Sequence, residues 1–424
     1  MIWLIVGILI LLAALGAPLF AVLGAIALIG FYSAGQEGIA VAVEFYRLSD
    51  MPALIAIPLF TLAGYILAES KTPQRLVRLT NALVGWLPGG LAIVAVLACT
   101  LFTAFTGATG VTIIALGAVL YPALRQAQYG EKFSLGLLTA SGSLGLLLVP
   151  SMPLILYGVV AQQFQPVSID ALFKAGVLPC LLMVVMLGVY SAWHVRDVAR
   201  PQRATLAELG AALKDAAWEI PLPFVILIGI YSGKLAASEA AAATALYVLL
   251  VTVLIRREIK LGELPRVIRH AMVLVGGILV ILGFSLALTN WLIDAEVPEK
   301  LFQFLRTHIP ESNPFLFLLA LNLFLLVFGM LLEGFPAIIL LVPLVLPVAV
   351  RYGIDPVHLG IIFLANLQLG IFLPPLGINL YIASARFRQP VMTLVRAAVP
   401  FFLIMLVATL IITYWPGLSL WLAR

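Results

Sequence analysis

Ten stretches of this chain are apolar for long enough to enter or cross a lipid bilayer. They lie near residues 2–33, 52–69, 89–125, 133–160, 171–193, 219–255, 271–292, 314–350, 357–384 and 391–415. Hydrocarbon offers no partner to a free backbone amide, so segments that enter it must close their hydrogen bonds internally, as helices. The fold expected is an all-α polytopic membrane protein. Composition agrees: 63% of the 424 residues are hydrophobic and 10% charged, against about 45–50% and about 25% in soluble domains. Met1 leads directly into Ile2–Gly30 without a basic stretch or a small-residue cleavage site. A retained membrane segment is expected there, not a removable signal.

Several function classes drop out. The net charge of +5 comes from basic residues scattered singly and in pairs between apolar runs. That is loop charge which sets topology, and no nucleic-acid partner is expected. Cys99 and Cys180 each sit inside an apolar run with no Cys-x-x-Cys motif, which gives no support to redox chemistry or a zinc site. His194, His270, His308 and His358 form no ligand pair at helical spacing, so metal catalysis has no basis. There is no Walker motif, and ATP hydrolysis by this chain is not expected.

The second half of the chain can be laid over the first. Pro73 and Pro298 lie 225 apart, and the same offset pairs Arg75 with Lys300, Leu76 with Leu301, Pro122 with Pro347, Gly145 with Gly370 and Pro150 with Pro375. An offset of 222 pairs Leu172–Ala175 with Leu394–Ala397. The chain therefore reads as a duplication, roughly 1–195 and 218–424, joined by a cytoplasmic linker over 196–217. Each copy reads as scaffold spans, an amphipathic arm (72–86 and 298–308), a hairpin (89–125 and 314–350), a broken helix (133–160 and 357–384) and a final span. A hairpin that returns to its starting side leaves five crossings, and an odd number turns the second copy upside down. With the linker in the cytoplasm, 17 of the 24 Lys and Arg fall inside, as the positive-inside rule demands. Both termini are then periplasmic. Inverted repeats with paired interrupted helices are the architecture of secondary transporters, with the site near the midplane at the breaks.

The breaks supply the candidate site. The first hairpin turns at Thr106-Gly107-Ala108-Thr109, and 17 residues of helix on its near side reach only about 25 Å of the roughly 30 Å core. The second turns near Gly329–Pro336. The broken helices carry Gly145–Pro153 and Gly370–Gly377, each with proline beside glycine. Proline removes an amide donor and displaces a carbonyl one turn back, freeing oxygens that can hold a cation, while half-helix amide ends can hold an anion. The expected cation ligands are Thr106, Gly107, Thr109, Gly145, Pro150, Ser151, Gly329, Glu333, Gly370, Pro374 and Pro375. The expected substrate contacts are Thr106, Ser151, Asn366, Gly377 and Asn379. Glu333, alone in an apolar stretch, reads as a cation ligand, a proton carrier, or a carboxylate bracing the hairpin. The arms read as interfacial helices that join a fixed part to a moving one.

At these residues the sequence resembles the large membrane (M, or DctM-like) subunit of tripartite ATP-independent periplasmic (TRAP) transporters. The matching stretches are Ile57–Gly64, Leu87–Leu91, Val149–Pro153 with Tyr157-Gly158, Tyr231–Gly233 with Glu239–Ala242, Gly353–Pro356 and Pro374–Gly377. The resemblance implies an elevator architecture of the ion-transporter superfamily. It implies Na+ as the coupling ion with no other cofactor, and carboxylates or sulfonates as substrates. It also implies a small four-helix (Q-type) membrane subunit, expected as a separate chain, a periplasmic binding protein (P-type), and residence in the bacterial inner membrane. Three positions depart from the family pattern. The first tip is Thr-Gly-Ala-Thr in place of serine-glycine-serine, Val149 replaces a proline, and Leu373 replaces a threonine, leaving the second cation site to backbone carbonyls. A stand-alone carboxylate transporter of the same superfamily is the alternative. A membrane-embedded enzyme would need a polar catalytic cluster that the sequence lacks.

Overall fold

The fold comes from a computed structural model, which describes residues 17–196, 203–232, 234–374 and 377–423, together with 7, 9, 11 and 12. The described residues form helices and turns, with no strand among them. In chain order the first copy contributes α1 (Leu19–Ser33), α2 (Ile39–Tyr46), α3 (Ala56–Glu69), the arm α4 (Thr72–Val84), the hairpin α5 (Gly90–Thr106) and α6 (Thr109–Gln126), the broken pair α7 (Glu131–Ser141) and α8 (Met152–Ala161), and α9 (Ile169–His194). A helix in the linker, α10 (Leu206–Asp215), leads to the second copy: α11 (Pro221–Tyr231), α12 (Ala237–Leu249), α13 (Leu264–Asp294), the arm α14 (Val297–His308), the hairpin α15 (Pro314–Leu331) and α16 (Gly334–Arg351), the broken pair α17 (Pro356–Gly370) and α18 (Ile378–Phe387), α19 (Val391–Tyr414) and the short α20 (Gly417–Leu420).

Seven helices among the described residues are long and apolar enough to cross a membrane, and the broken pair from Glu131 to Ala161, bent by 45°, adds an eighth candidate. The stretch before Pro18, where the first long run begins, lies largely outside the described residues.

Helix boundaries recur at the 225-residue offset. Glu69 and Asp294 end α3 and α13, Thr72 and Val297 open the arms, and α6 and α16 correspond end to end. Packing recurs with them. A Cβ on Gly145 would lie 2.5 Å from the Ala104 amide nitrogen, and one on Gly370 would lie 2.6 Å from the Cα of Gly329, the counterpart of Ala104. Elements also exchange across the copies: α16 packs on α8 and α6 on α18, while α19 packs on α7 and α9 on α17. The Ser143 hydroxyl approaches the Gln368 carbonyl at 3.4 Å, and these two residues are each other's counterparts. A residue meets its own counterpart only where a two-fold axis passes between them. The axis therefore runs just before the two breaks, where α7 and α17 end.

The arms are amphipathic in sequence but unequal in their surroundings. Arg75 of α4 is buried and ion-paired to Glu219 and Glu258, with Asp215 at 3.6 Å. Arg78 and Arg256 add to Asp215 at 3.2 and 3.5 Å. Leu79 of the arm packs with Ala212 and Ala216, so the linker helix α10 is docked on α4. The arm equivalent, α14, carries the exposed Lys300 at Arg75's place, donating to Ala295 O at 2.8 Å, and leans on α16 through the Glu299–Arg351 pair.

Candidate functional site

Both hairpin tips and both helix breaks open onto one cavity of about 240 Å³. The first tip contributes Gly107, Ala108 and Thr109, the second Glu333, Gly334 and Phe335. Leu146 and Pro153 come from the first break, Ile371 and Ile378 from the second. Gly110, Val111 and Ile114 of α6 and Ile382 of α18 extend the wall, and the scaffold adds Tyr65 of α3 and Leu274 of α13.

Each tip has a local cause. Gly107 closes α5 with φ +62°, and a Cβ there would meet Met152 at 3.1 Å. That left-handed conformation costs glycine little and other residues more. At the second tip Glu333 takes the N-cap position of α16 with extended backbone, and its side chain makes no cap hydrogen bond. Among the described residues the carboxylate makes no bond to the amide end of α16. It faces the cavity, at the positive end of the α16 dipole, and among the described residues no Lys, Arg or His lines the wall.

The two breaks differ in construction. In the first, α7 gives way to a single 3₁₀ turn over Leu144–Leu147, and the Val149–Pro150 peptide is cis. Ser151 caps α8 by accepting from Leu154 N at 3.4 Å, while its hydroxyl donates to Leu146 O. In the second break the backbone folds on itself: Leu373 N donates to Gly370 O at 3.0 Å, Gly377 N to Leu373 O at 2.8 Å and Asn379 N to Ile371 O at 3.1 Å.

Of the residues singled out in the sequence, Gly107, Thr109 and Glu333 line the cavity. Asn379 stands directly behind it and accepts from the Thr109 hydroxyl at 2.7 Å, joining the first tip to the second break. The Asn379 Nδ2 is buried without a partner among the described residues. Gly329 borders a neighbouring recess with Glu333 and Ile378. Gly145 and Gly370 act one layer back, where only a hydrogen fits against the hairpin backbone. Thr106 is buried beneath Gly64 of α3, and Pro150 and Ser151 are buried in the first break. Gly377 is the buried N-cap of α18, Pro374 lies exposed on the turn, and Pro375 falls outside the described residues.

The structure places Asn366 away from the cavity. Its amide donates to Asn322 Oδ1 at 2.6 Å and to Ile362 O at 2.9 Å, and Thr413 donates to the same Asn322 oxygen at 3.1 Å. A buried amide one turn from a break can satisfy itself between helices, and that is its role here. Sequence reasoning did not find Tyr65, Leu274, Phe335 or Ile378. They are apolar or aromatic residues in apolar helices, and periodicity carries no signal that separates a cavity wall from a lipid face. Among the described residues no three His, Cys, Asp or Glu side chains gather to hold a metal.

Residues 6–418 match the model of the tripartite ATP-independent periplasmic transporter, DctM component. The chain belongs to that family. It is a multi-pass inner-membrane protein and a transport component, not an enzyme. The C4-dicarboxylate TRAP transporter large permease protein DctM of Pseudomonas aeruginosa is 34% identical over 383 residues, 90% of this chain and 88% of that protein. The isethionate TRAP transporter permease protein DctMQ of Oleidesulfovibrio alaskensis is 31% identical across 96% of this chain and 64% of its own length. The YdaH transporter of Alcanivorax borkumensis shares the fold, with a TM-score of 0.60 at 17% identity over 90% of this DctM-family chain and 88% of its own.

Proposed function

We propose that this chain is the translocating subunit of a sodium-coupled secondary transporter that imports a small organic anion, a carboxylate or sulfonate, by an elevator motion. The anion is handed over by a periplasmic binding protein, and the chain works beside a small Q-type four-helix membrane subunit. The observation that carries the coupling is the charge of the cavity. Glu333 is the charged residue of its wall, and among the described residues no cationic side chain lines it. Two like charges at about 4 Å repel by about 4 kcal/mol at an effective dielectric of 20. An anionic cargo would enter this cavity at a loss unless a cation entered with it. Two tips and two proline-interrupted breaks offer carbonyl oxygens for such an ion, as in other carriers with inverted repeats. The relatives' names support both acid classes, one being called a C4-dicarboxylate and one an isethionate transporter.

The cavity also has a side. Tyr65 lies four residues from the end of α3 at Glu69. Leu274 lies about 15 Å along α13 from its start at Leu264 and about 30 Å from its end at Asp294. The basic residues Arg256, Arg257, Lys260, Arg266 and Arg269 crowd that near end, which the positive-inside rule makes cytoplasmic. The state is inward-facing, with both chain termini periplasmic.

The test is reconstitution of the chain with its small subunit and binding protein in liposomes, with sodium, proton and potassium gradients imposed separately. Uptake driven by inward sodium alone is expected. Uptake indifferent to sodium but driven by protons would move Glu333 from cation ligand to proton carrier, and uptake by this chain without its partners would favour the stand-alone alternative.

A further inference from the structure

The two copies correspond closely, yet they do not sit equally on the scaffold. Gly64 of α3 presses on the first tip so tightly that a Cβ there would lie 2.5 Å from the Thr106 Cα, and Thr106 is 1% exposed. Leu331, the counterpart of Thr106 at the second tip, is 45% exposed. The counterpart of Gly64 is Thr289 on α13, at the same distance from the helix end. α3 packs along α5 and α8, whereas α13 packs along α16. The α13 face that carries Thr289 also carries Ser285 one turn earlier, and the Ser285 hydroxyl donates to Ile339 O of α16 at 3.1 Å. The second hairpin thus already lies on this face, displaced from the position that its twin holds on α3.

We infer that Thr289 and Asn290 of α13 form the docking surface of the second hairpin tip in the opposite-facing state, with Leu331 seated on Thr289 and Asn290 taking the place in the cavity wall that Tyr65 holds here. The reasoning is symmetry. Two copies related by a two-fold axis have two equal arrangements, in which every contact between scaffold and hairpin is exchanged for its counterpart. The present structure uses one set, Gly64 with Thr106 and Tyr65 in the wall. The other set is not made here: Leu331 is 45% exposed, and Thr289, 3% exposed, is covered by neighbours that the exchange would replace. The exchange changes the chemistry of the wall, since Tyr65 offers one phenolic group and Asn290 offers an amide with two donors. The receiving face of the carrier is therefore the better hydrogen-bond donor to an anion, and Asn290 is a specificity-determining residue on that face. The inference rests on the transporter reading.

Its test reads cross-linking first and uptake second. Cys99 and Cys180, both buried, are first replaced by alanine. Thr61 and Met152, which touch at 3.1 Å, become a cysteine pair that reports the present state, and Thr289→Cys with Leu331→Cys reports the other. In membranes holding the full chain and its small subunit, supplied with the binding protein, each pair is expected to cross-link under mild oxidant, each to stop uptake, and reductant to restore it. A 289/331 pair that stays uncross-linked in a transporting protein, while 61/152 cross-links, would overturn the inference. Should 289/331 not fold, Asn290→Cys alone decides. A water-soluble thiol reagent is expected to label it in the free carrier and not in the 61/152-locked one, and equal labelling of both would overturn the inference. Cross-linking that succeeds where no organic anion is imported would remove the proposed cargo and leave the inference standing.

Discussion

Glu333 is the residue at which sequence and structure meet most directly. It was conspicuous as a charge among apolar neighbours, and the fold sets it at a helix N-terminus facing the cavity, with no cap bond of its own. If it helps to hold the coupling ion, Glu333→Gln raises the sodium concentration for half-maximal uptake and leaves the amount of folded protein unchanged. A glutamine variant with unaltered sodium and pH response would end both functional readings of this residue. Gly107 and Gly370 give a second prediction. A side chain on Gly370 would fall 2.3 Å from the Gly329 carbonyl carbon, and one on Gly107 would meet a left-handed φ and Met152. Gly370→Leu and Gly107→Leu are expected to abolish uptake, read against membrane abundance on a blot. Normal uptake in both would reduce these glycines to helix kinks.

The arms are the elements whose asymmetry matters most. Arg75 is buried among Asp215, Glu219 and Glu258, and taking one partner from a buried ionic group leaves the others unpaired, at a cost of about 3–5 kcal/mol. Arg75→Met should lower the thermal unfolding midpoint of the purified complex clearly, while Lys300→Met, at the equivalent exposed position, should change stability by less than about 0.5 kcal/mol. Equal effects would mean that the two arms are anchored alike. On the second arm, the Arg351 hydrogen bond holds the Glu299 carboxyl below its ordinary value. A depressed carboxylate contributes stability that is complete above its unfolded-state value and is lost as pH falls through the folded one. The pair is exposed, so the effect is small and salt-screened. Thermal scans from neutral to acid pH should show a decline that Glu299→Gln lacks.

At the scale of the whole molecule, sidedness is open to a simple experiment. The linker helix Leu206–Asp215 packs on the first arm beside the ion cluster, and the proposed topology has that surface in the cytoplasm. Leu213 is exposed. With the native cysteines removed, Leu213→Cys should resist a membrane-impermeant thiol reagent in intact cells and react after permeabilisation. Labelling in intact cells would turn the molecule over and make the cavity outward-facing.

The membrane, the helices and the duplication were all legible in the order of residues, because lipid imposes them locally. A run of apolar side chains must become a helix, a proline must interrupt it, and a copied stretch keeps its prolines and glycines at a constant spacing. The positions of Gly107, Thr109 and Glu333 followed from the same local logic. What folding alone decided was adjacency. Thr109 and Asn379 are 270 residues apart and share one hydrogen bond, Asn366 turns from the cavity to Asn322, whose oxygen Thr413 also reaches, and Tyr65 and Leu274 of the scaffold join the cavity wall. In a soluble chain the polar pattern marks which helix face meets water and so hints at its partners. Here lipid and protein interior are equally apolar, and a side chain's neighbours are set by shape and by the few polar groups that must find one another.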